Sequence, residues 1–362
     1  MRIVVKLGTS TLTAGSKTLN PRRMLELVQQ MALARERGHE VAVVSSGAMA
    51  AGRARLGYDQ SPPELPVKQM LAAVGQTHLM RMWEGAFEPY ETQVAQVLLT
   101  RADLSDRKRY LNARDALEAI LANGIVPIIN ENDAVATEEI RVGDNDNLSA
   151  LVSNVVNADL LLMLTDMDGL CSADPRKDPS AKLIEVVPQI DDAVYALAGA
   201  SRTGLGTGGM TTKLQAAELA TRSGIATVIA NGARKDVIPD AADGKKVGTW
   251  FIAVARSIES RKRWILSERA NGTLTVDDGA ARALREGKSL LPAGAKYVAG
   301  EFDRGEIVTV LSVGGDKVAR GIARYNSNDM RRILGKQSSE IEEILGYQHA
   351  PMLVHADDLV VM

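Results

Sequence analysis

The residues best suited to chemistry in this sequence are two lysines and a crowded run of acids and amides. The segment "VGDNDNLSA", residues 142–150, sets two carboxylates, Asp144 and Asp146, and two amides, Asn145 and Asn147, side by side just ahead of the apolar run "LSALVSNVV". Asp146 or Asn147 can cap a helix starting there, but one cap does not account for all four. Lys6 closes an otherwise apolar stretch, "RIVVKL", where a charge is costly unless it is used. A side chain snorkelling from a strand end is the plainer alternative. Lys213 follows the glycine-rich loop "GLGTGGMTTK". Two ammonium groups facing a phosphoryl group suit phosphoryl transfer, which is mostly positioning and charge stabilisation. Carboxylates nearby would hold the lysines or bind a cationic group on a substrate, and Asp133 in "NENDAV" offers a similar service.

The glycine loop formally contains GxGxxG at Gly204, Gly206 and Gly209. A dinucleotide reading fails, because the loop follows a helix-like stretch and no acid ends the next strand to hold a ribose. The P-loop pattern cannot be laid over it either. What is left is a loop whose backbone amides can cradle phosphate oxygens ahead of a helix, aided by the helix dipole; a surface loop is the alternative. None of the four histidines, His39, His78, His349 and His355, falls in these polar turns. A hydroxyl acceptor would usually recruit a general base, whereas a carboxylate acceptor is already ionised at neutral pH. Lysines and glycines with no evident base therefore favour acyl-phosphate formation.

Positioning these groups requires a sheet. Strand-length apolar runs occur at 3–5, 40–45, 93–99, 125–130, 160–165 and 226–230, with helical patterns at about 67–86, 106–123, 147–157 and 211–223. Asn20-Pro21 announces a further helix that Gly38 can end. Alternation of this kind predicts an α/β fold with an open, mostly parallel sheet and helices on both faces. Ligands of such sheets bind beyond the carboxyl ends of the strands. Those ends carry Lys6, Gly8, Thr9 and Ser10; Ser45, Ser46 and Gly47; Asn130 to Asp133; and Thr165 to Gly169. After about residue 258 the pattern changes. "ESRKRWI" reads as a polar link, and "GTLTVD", "SLLPAG", "EIVTVLS" and "KVARGIARY" read as short β-like pieces. The expected domains are 1–257, a linker at 258–271, and a small β-rich domain at 272–362.

The 362 residues are 45% hydrophobic and 24% charged, with a formal net charge of −2, so no global field argues for nucleic acid or membrane. One cysteine, Cys171, permits no internal disulfide and suits a reducing cytoplasm. The amino terminus lacks the pattern of a signal peptide, and no apolar run is long enough to span a membrane.

Together "VVKLGTS", "SSGAMAAG", "LLTRAD", "LNARD", "NENDAV", "VGDNDNLSA", "TDMDGL" and "GLGTGGMTTKLQAA" resemble the glutamate 5-kinases of the amino acid kinase superfamily. "GTLTVDDGA", "SLLPAG" and "ARGIARYNS" look like the pseudouridine synthase and archaeosine transglycosylase (PUA) domain that many bacterial members carry. The resemblance implies ATP-dependent phosphorylation of the L-glutamate side-chain carboxylate to L-glutamyl 5-phosphate, the first step of proline biosynthesis. It implies that Lys6 and Lys213 contact the phosphates, with Asp146 orienting the lysines or the substrate. By the same carry-over Gly8, Thr165, Asp166, Thr207, Gly208, Gly209, Met210, Thr211 and Thr212 bind ATP. Ser46, Gly47, Asn130, Asp133, Asp144 and Asn145 bind glutamate, with Asn130 and Asp144 near its amino group. No residue is expected to ligate metal, since Mg²⁺ is held mainly by the nucleotide phosphates. Proline feedback inhibition and a homo-oligomer, dimer or tetramer, are also implied. One departure is Cys171, where the family more often has tyrosine; it reads as a small apolar wall residue that can alter nucleotide affinity.

Two rival readings stay open at this point. Another small acid, N-acetylglutamate, aspartate or carbamate, is a possible acceptor on the same scaffold, although Asp133 and Asp144 favour a free amino group. The PUA-like domain offers RNA binding, with "SRKRW" (260–264) as a small basic and aromatic spot. The slightly acidic balance of the chain argues against that.

Overall fold

A computed structural model describes residues 1–62, 64–136, 144–199, 209–254, 265–266 and 269–362, with residue 144 described by its backbone alone. Contacts divide the chain into two units, Met1–Arg256 and Ser257–Met362.

In the first unit the strands are β1 (Arg2–Leu7), β2 (Glu40–Ser45), β3 (Val94–Leu99), β4 (Val126–Glu131), β5 (Leu160–Thr165), β6 (Val186–Val187), β7 (Ala226–Asn231) and β8 (Thr249–Phe251). They form one sheet in the order β3-β4-β2-β1-β5-β7-β8-β6. Pairing is parallel from β3 through β7, and β8 runs antiparallel to β7. The mostly parallel sheet is the one expected, and its middle strands are buried on both faces. The chain moves one way from β1 to β2 and the other way to β5, so the crevice beyond β1 is a switch point where ligands bind.

Helices cover both faces: α1 (Thr9–Thr13), α2 (Pro21–Glu36), α3 (Ala48–Leu56), α4 (Leu65–Phe87), α5 (Arg101–Ser105), α6 (Arg107–Ala122), α7 (Asp144–Val155), α8 (Asp192–Leu197), α9 (Met210–Arg222) and α10 (Val237–Ala242). Strand side chains alternate between the faces. Ile3, Val5 and Leu7 join the core built with Met24, Leu27 and Met31 of α2 and Leu79 and Trp83 of α4. Val4 joins the opposite core with Leu117 of α6, Leu148 and Val152 of α7, and Leu214 and Ala217 of α9. By the same alternation Lys6 faces α7 and α9.

Several elements differ from the sequence expectation. Helix α7 starts at Asp144 rather than at about 147, so Asp146 lies inside the first turn and is not its cap. The helix expected over 106–123 is α6, capped by the Asp106 side chain, which accepts from the Arg109 N–H; a short helix not expected from the sequence, α5, precedes it and is started by a capping box between Thr100 and Asp103. Helix α3 has no apolar stripe because small residues face its neighbour. A Cβ on Gly52 would lie 1.8 Å from the Leu71 carbonyl oxygen, and one on Gly75 only 1.7 Å from that of Ala48. Such close helix contact carries no periodic signal to read.

In the second unit β9 (Gly272–Val276), β10 (Ala295–Ala299), β11 (Ile307–Ser312), β12 (Lys317–Ile322) and β13 (Leu359–Val361) form a sheet in the order β10-β9-β11-β12-β13. Helices α11 (Asp278–Arg285), α12 (Ser327–Ile333) and α13 (Ile341–Leu345) accompany it. Its own core holds Leu274, Val276, Val308, Val310, Tyr325 and Leu353. "SLLPAG" is not a strand: Leu290 makes one isolated bridge to Val354, and Pro292, which has no N–H to donate, opens a 3₁₀ turn through Gly294. The linker reading "SRKRW" lies outside the described residues. Among those described, no helix is long and apolar enough to cross a membrane.

Candidate active site

Lys6, Asp146 and Lys213 converge at the carboxyl end of β1. Lys6 Nζ lies 2.5 Å from Asp146 Oδ1, and Lys213 Nζ lies 3.3 Å from Oδ2 of the same carboxylate. The Thr212 hydroxyl donates to Oδ2 at 2.7 Å. One residue of β1, one of the first turn of α7 and two of the first turn of α9 therefore make a single polar knot. Two of its members are buried: Asp146 is 1% exposed and Lys6 4%. Burial pushes the Lys6 ammonium below the usual lysine range, against the pull of Asp146, and Lys213 adds to the downward push. Burial alone would raise Asp146, but the two ammonium groups, Lys6 foremost, hold its carboxyl below the usual carboxylate range. The carboxylate stays ionised while its neighbours remain charged.

The knot opens onto a cavity of about 1400 Å³. On the β5 side its walls include Thr165, Asp166, Gly209, Met210 and Thr211, with the Thr165 hydroxyl donating to Asp166 Oδ1 at 3.0 Å. Gly209 stands at the α9 N-terminus with φ +85° and ψ −145°, a conformation that favours glycine. Gly8 lines the cavity beside Lys6, and a Cβ there would sit 3.5 Å from the Lys6 Nζ. On the β2–β4 side the walls include Ser46, Gly47, Asn130, Asp133 and Asn145. Asn145 Nδ2 donates to Ser46 Oγ at 3.1 Å and to Asn130 Oδ1 at 3.0 Å. Gly47 caps α3 with φ +104° and no side-chain hydrogen bond, which leaves the first N–H groups of α3 without a side-chain acceptor.

The match to known proteins follows this architecture. Residues 1–231 match the amino acid kinase family, and residues 272–345 match the PUA domain. The chain belongs to the amino acid kinase family. It is 55% identical to a glutamate 5-kinase of Shigella flexneri over 99% of this chain and 98% of that protein. It is 54% identical, with the same coverage, to a glutamate 5-kinase of an Enterobacter species. The fold resembles that of a carbamate kinase from Giardia lamblia bound to AMP-PNP, with a TM-score of 0.51 at 19% identity, covering 69% of this chain and 98% of that one.

For this amino acid kinase, the cavity gathers Lys6, Gly8, Ser46, Gly47, Asn130, Asp133, Asn145, Asp146, Thr165, Asp166, Gly209, Met210, Thr211 and Lys213. Thr212 stands behind the wall, turned to Asp146. Thr207 and Gly208 lie outside the described residues, as does the side chain of Asp144. Cys171 is part of the wall, and burial, then the nearby Asp168 charge, push its thiol up, away from nucleophilic use. Sequence reasoning missed Arg53, Ser61 and Lys68, and the stretch Ala196 to Gly199. None sits at a strand end, where the search for ligand-binding residues was directed.

Proposed function

We propose that this chain transfers the γ-phosphoryl group of ATP to the side-chain carboxylate of L-glutamate, giving L-glutamyl 5-phosphate in the cytoplasm as the first step of proline biosynthesis. The observation that carries the reading is the Lys6–Asp146–Lys213 knot at the mouth of one cavity with two differently built walls. The β5-side wall, with Thr165, Asp166 and the start of α9, takes ATP, and Thr207 and Gly208, which lie outside the described residues, are assigned to the same nucleotide. The β2–β4 side, with Ser46, Gly47, Asn130, Asp133 and Asn145, takes glutamate, and Asp144 joins it near the amino group.

A carboxylate oxygen of the acceptor, ionised at neutral pH, attacks the γ-phosphorus without a general base. The bond from that phosphorus to the bridging oxygen breaks, and ADP leaves with the electron pair. Lys6 and Lys213 neutralise charge on the phosphoryl oxygens as it shifts. Asp146 holds both ammonium groups at the transfer point. Magnesium fits as an ion brought by the nucleotide phosphates: the Asp146 oxygens are engaged by Lys6, Lys213 and Thr212. No group of three His, Cys, Asp or Glu among the described residues is arranged for a metal. The metal would supply charge neutralisation on the β- and γ-phosphates. Proline is the expected feedback inhibitor at or over the glutamate site, and the enzyme acts as a homo-oligomer.

The test supplies ATP and magnesium with each candidate acid in turn and traps the acyl phosphate with hydroxylamine. Hydroxamate should form with L-glutamate. Turnover with N-acetylglutamate, aspartate or carbamate in place of glutamate would overturn the assignment.

A further inference from the structure

One buried amide beside the acceptor wall takes no part in the transfer itself. Gln76 of α4 is 8% exposed, and its Oε1 accepts from Asn130 Nδ2 at 2.8 Å. The polarity of the amide chain it joins is set by the backbone. The Glu131 N–H donates to Asn130 Oδ1 at 2.9 Å, and a backbone N–H can only donate. That decides which end of the Asn130 amide is oxygen, so Nδ2 faces Gln76 and Gln76 must present Oε1. Asn130 Oδ1 also accepts from Asn145 Nδ2, which orients the Asn145 amide in turn and sends its Nδ2 on to Ser46 Oγ. Both ends of Asn130 are thereby engaged. The unspent groups are the Asn145 Oδ1, buried and without a hydrogen-bond partner among the described residues, and the hydroxyl proton of Ser46, whose oxygen already accepts.

A buried carbonyl oxygen without a donor is costly to leave unsatisfied. An incoming ammonium relieves it, and the Ser46 O–H can donate to a carboxylate. We propose that Gln76 is a positioning residue that, through Asn130, holds Asn145 Oδ1 toward the ammonium of the acceptor and so makes the site select amino acids over plain dicarboxylic acids. This rests on the reading that glutamate occupies the β2–β4 side, and it assigns Asn130 to orienting Asn145 rather than to touching substrate. The Gln76 Nε2 is buried with no partner among the described residues, so only the oxygen end of this amide is used.

That asymmetry sets the test. Gln76→Met keeps the length but removes the acceptor; Gln76→Glu keeps an acceptor and adds a negative charge, which acts alike on two dicarboxylate substrates, so the ratio of their KM values is what it reports. The hydroxamate assay is run on the full chain with glutamate and with glutarate, which lacks the ammonium. Gln76→Met should raise the glutamate KM about 10-fold, the scale of one hydrogen bond to a charged group, while the KM values for glutarate and ATP stay within about 2-fold. Gln76→Glu should change the ratio of glutamate KM to glutarate KM less than about 3-fold on the same scale. An unchanged glutamate KM in Gln76→Met, or equal rises for glutamate, glutarate and ATP, overturns the proposal. If Gln76→Met does not fold, a rise of about 10-fold in the ratio of glutamate KM to glutarate KM in Gln76→Glu overturns it. Wild-type protein that makes no hydroxamate from glutamate would instead sink the assignment of the reaction.

Discussion

The Lys6 ammonium stands 2.5 Å from Asp146 Oδ1 with both side chains buried, although one lies next to the end of the first strand and the other in the opening turn of α7. Strand alternation makes this meeting possible. Val5 and Leu7 point into the α2–α4 core, so Lys6 must point toward α7 and α9. A buried pair of this kind is rarely a net source of stability, so its retention at a cavity mouth speaks for use in transfer. Four predictions follow from the geometry of the site and of the helices that frame it.

Lys6→Ala should lower kcat by at least about 100-fold, the scale of losing one preorganised charge in a transition state, with the glutamate KM little changed. Steady-state kinetics in both substrates measure this. A large rise in glutamate KM at unchanged kcat would mean that the two ends of the cavity have been swapped. Because burial lowers the Lys6 value, the alkaline limb of kcat should fall below the ordinary lysine value of about 10.4.

Asp146→Asn leaves two ammonium groups without their shared carboxylate. Breaking a buried pair costs about 3–5 kcal/mol, read as a lower urea midpoint at neutral pH. The folded value of Asp146 is depressed, so its contribution is complete above the unfolded aspartate value of about 3.9. It is lost as pH falls through the lower folded value. The gap between wild type and Asp146→Asn should therefore narrow in acid; a gap that widens there contradicts the linkage.

Asp133→Asn removes a carboxylate from the acceptor wall while keeping its shape. The glutamate KM should rise roughly 10- to 100-fold, as for a lost charge-assisted contact of about 1.5–3 kcal/mol. The ATP KM should hold. Equal effects on both substrates would place Asp133 in a structural role.

Gly75→Ala tests the α3–α4 contact. Its Cβ would fall 1.7 Å from the Ala48 carbonyl oxygen, so the helices must part. Overpacking of this kind typically costs about 1–3 kcal/mol. The shift acts on the α3 N-terminus beside Ser46 and Gly47, so Tm should drop and the glutamate KM should rise together. A normal Tm would show that the two helices can separate freely.

The parallel sheet was legible because its strands are short, apolar on both faces and separated by helical patterns. Lys6 and Lys213 were legible because a charge at the end of an apolar strand and a lysine after a glycine loop are both locally anomalous. Helix α3 was not legible, since alanines and glycines that face another helix leave no stripe. The short helix α5 was hidden for a different reason: the Thr100–Asp103 capping box starts it, and its five residues are too few to show an apolar period.

The sequence by itself determined the fold class, the strand ends where polar groups gather, and the residue types able to carry a phosphoryl group to a carboxylate, because these are local properties of period, charge and backbone freedom. Only the tertiary structure decided which of those groups meet. It set Asp146 between two lysines instead of at a helix cap, brought Arg53 and Lys68 to the wall, and joined Gln76 to Asn145 through Asn130. Such pairings depend on strand register and on how closely helices approach, and those are settled by packing between segments far apart in the chain.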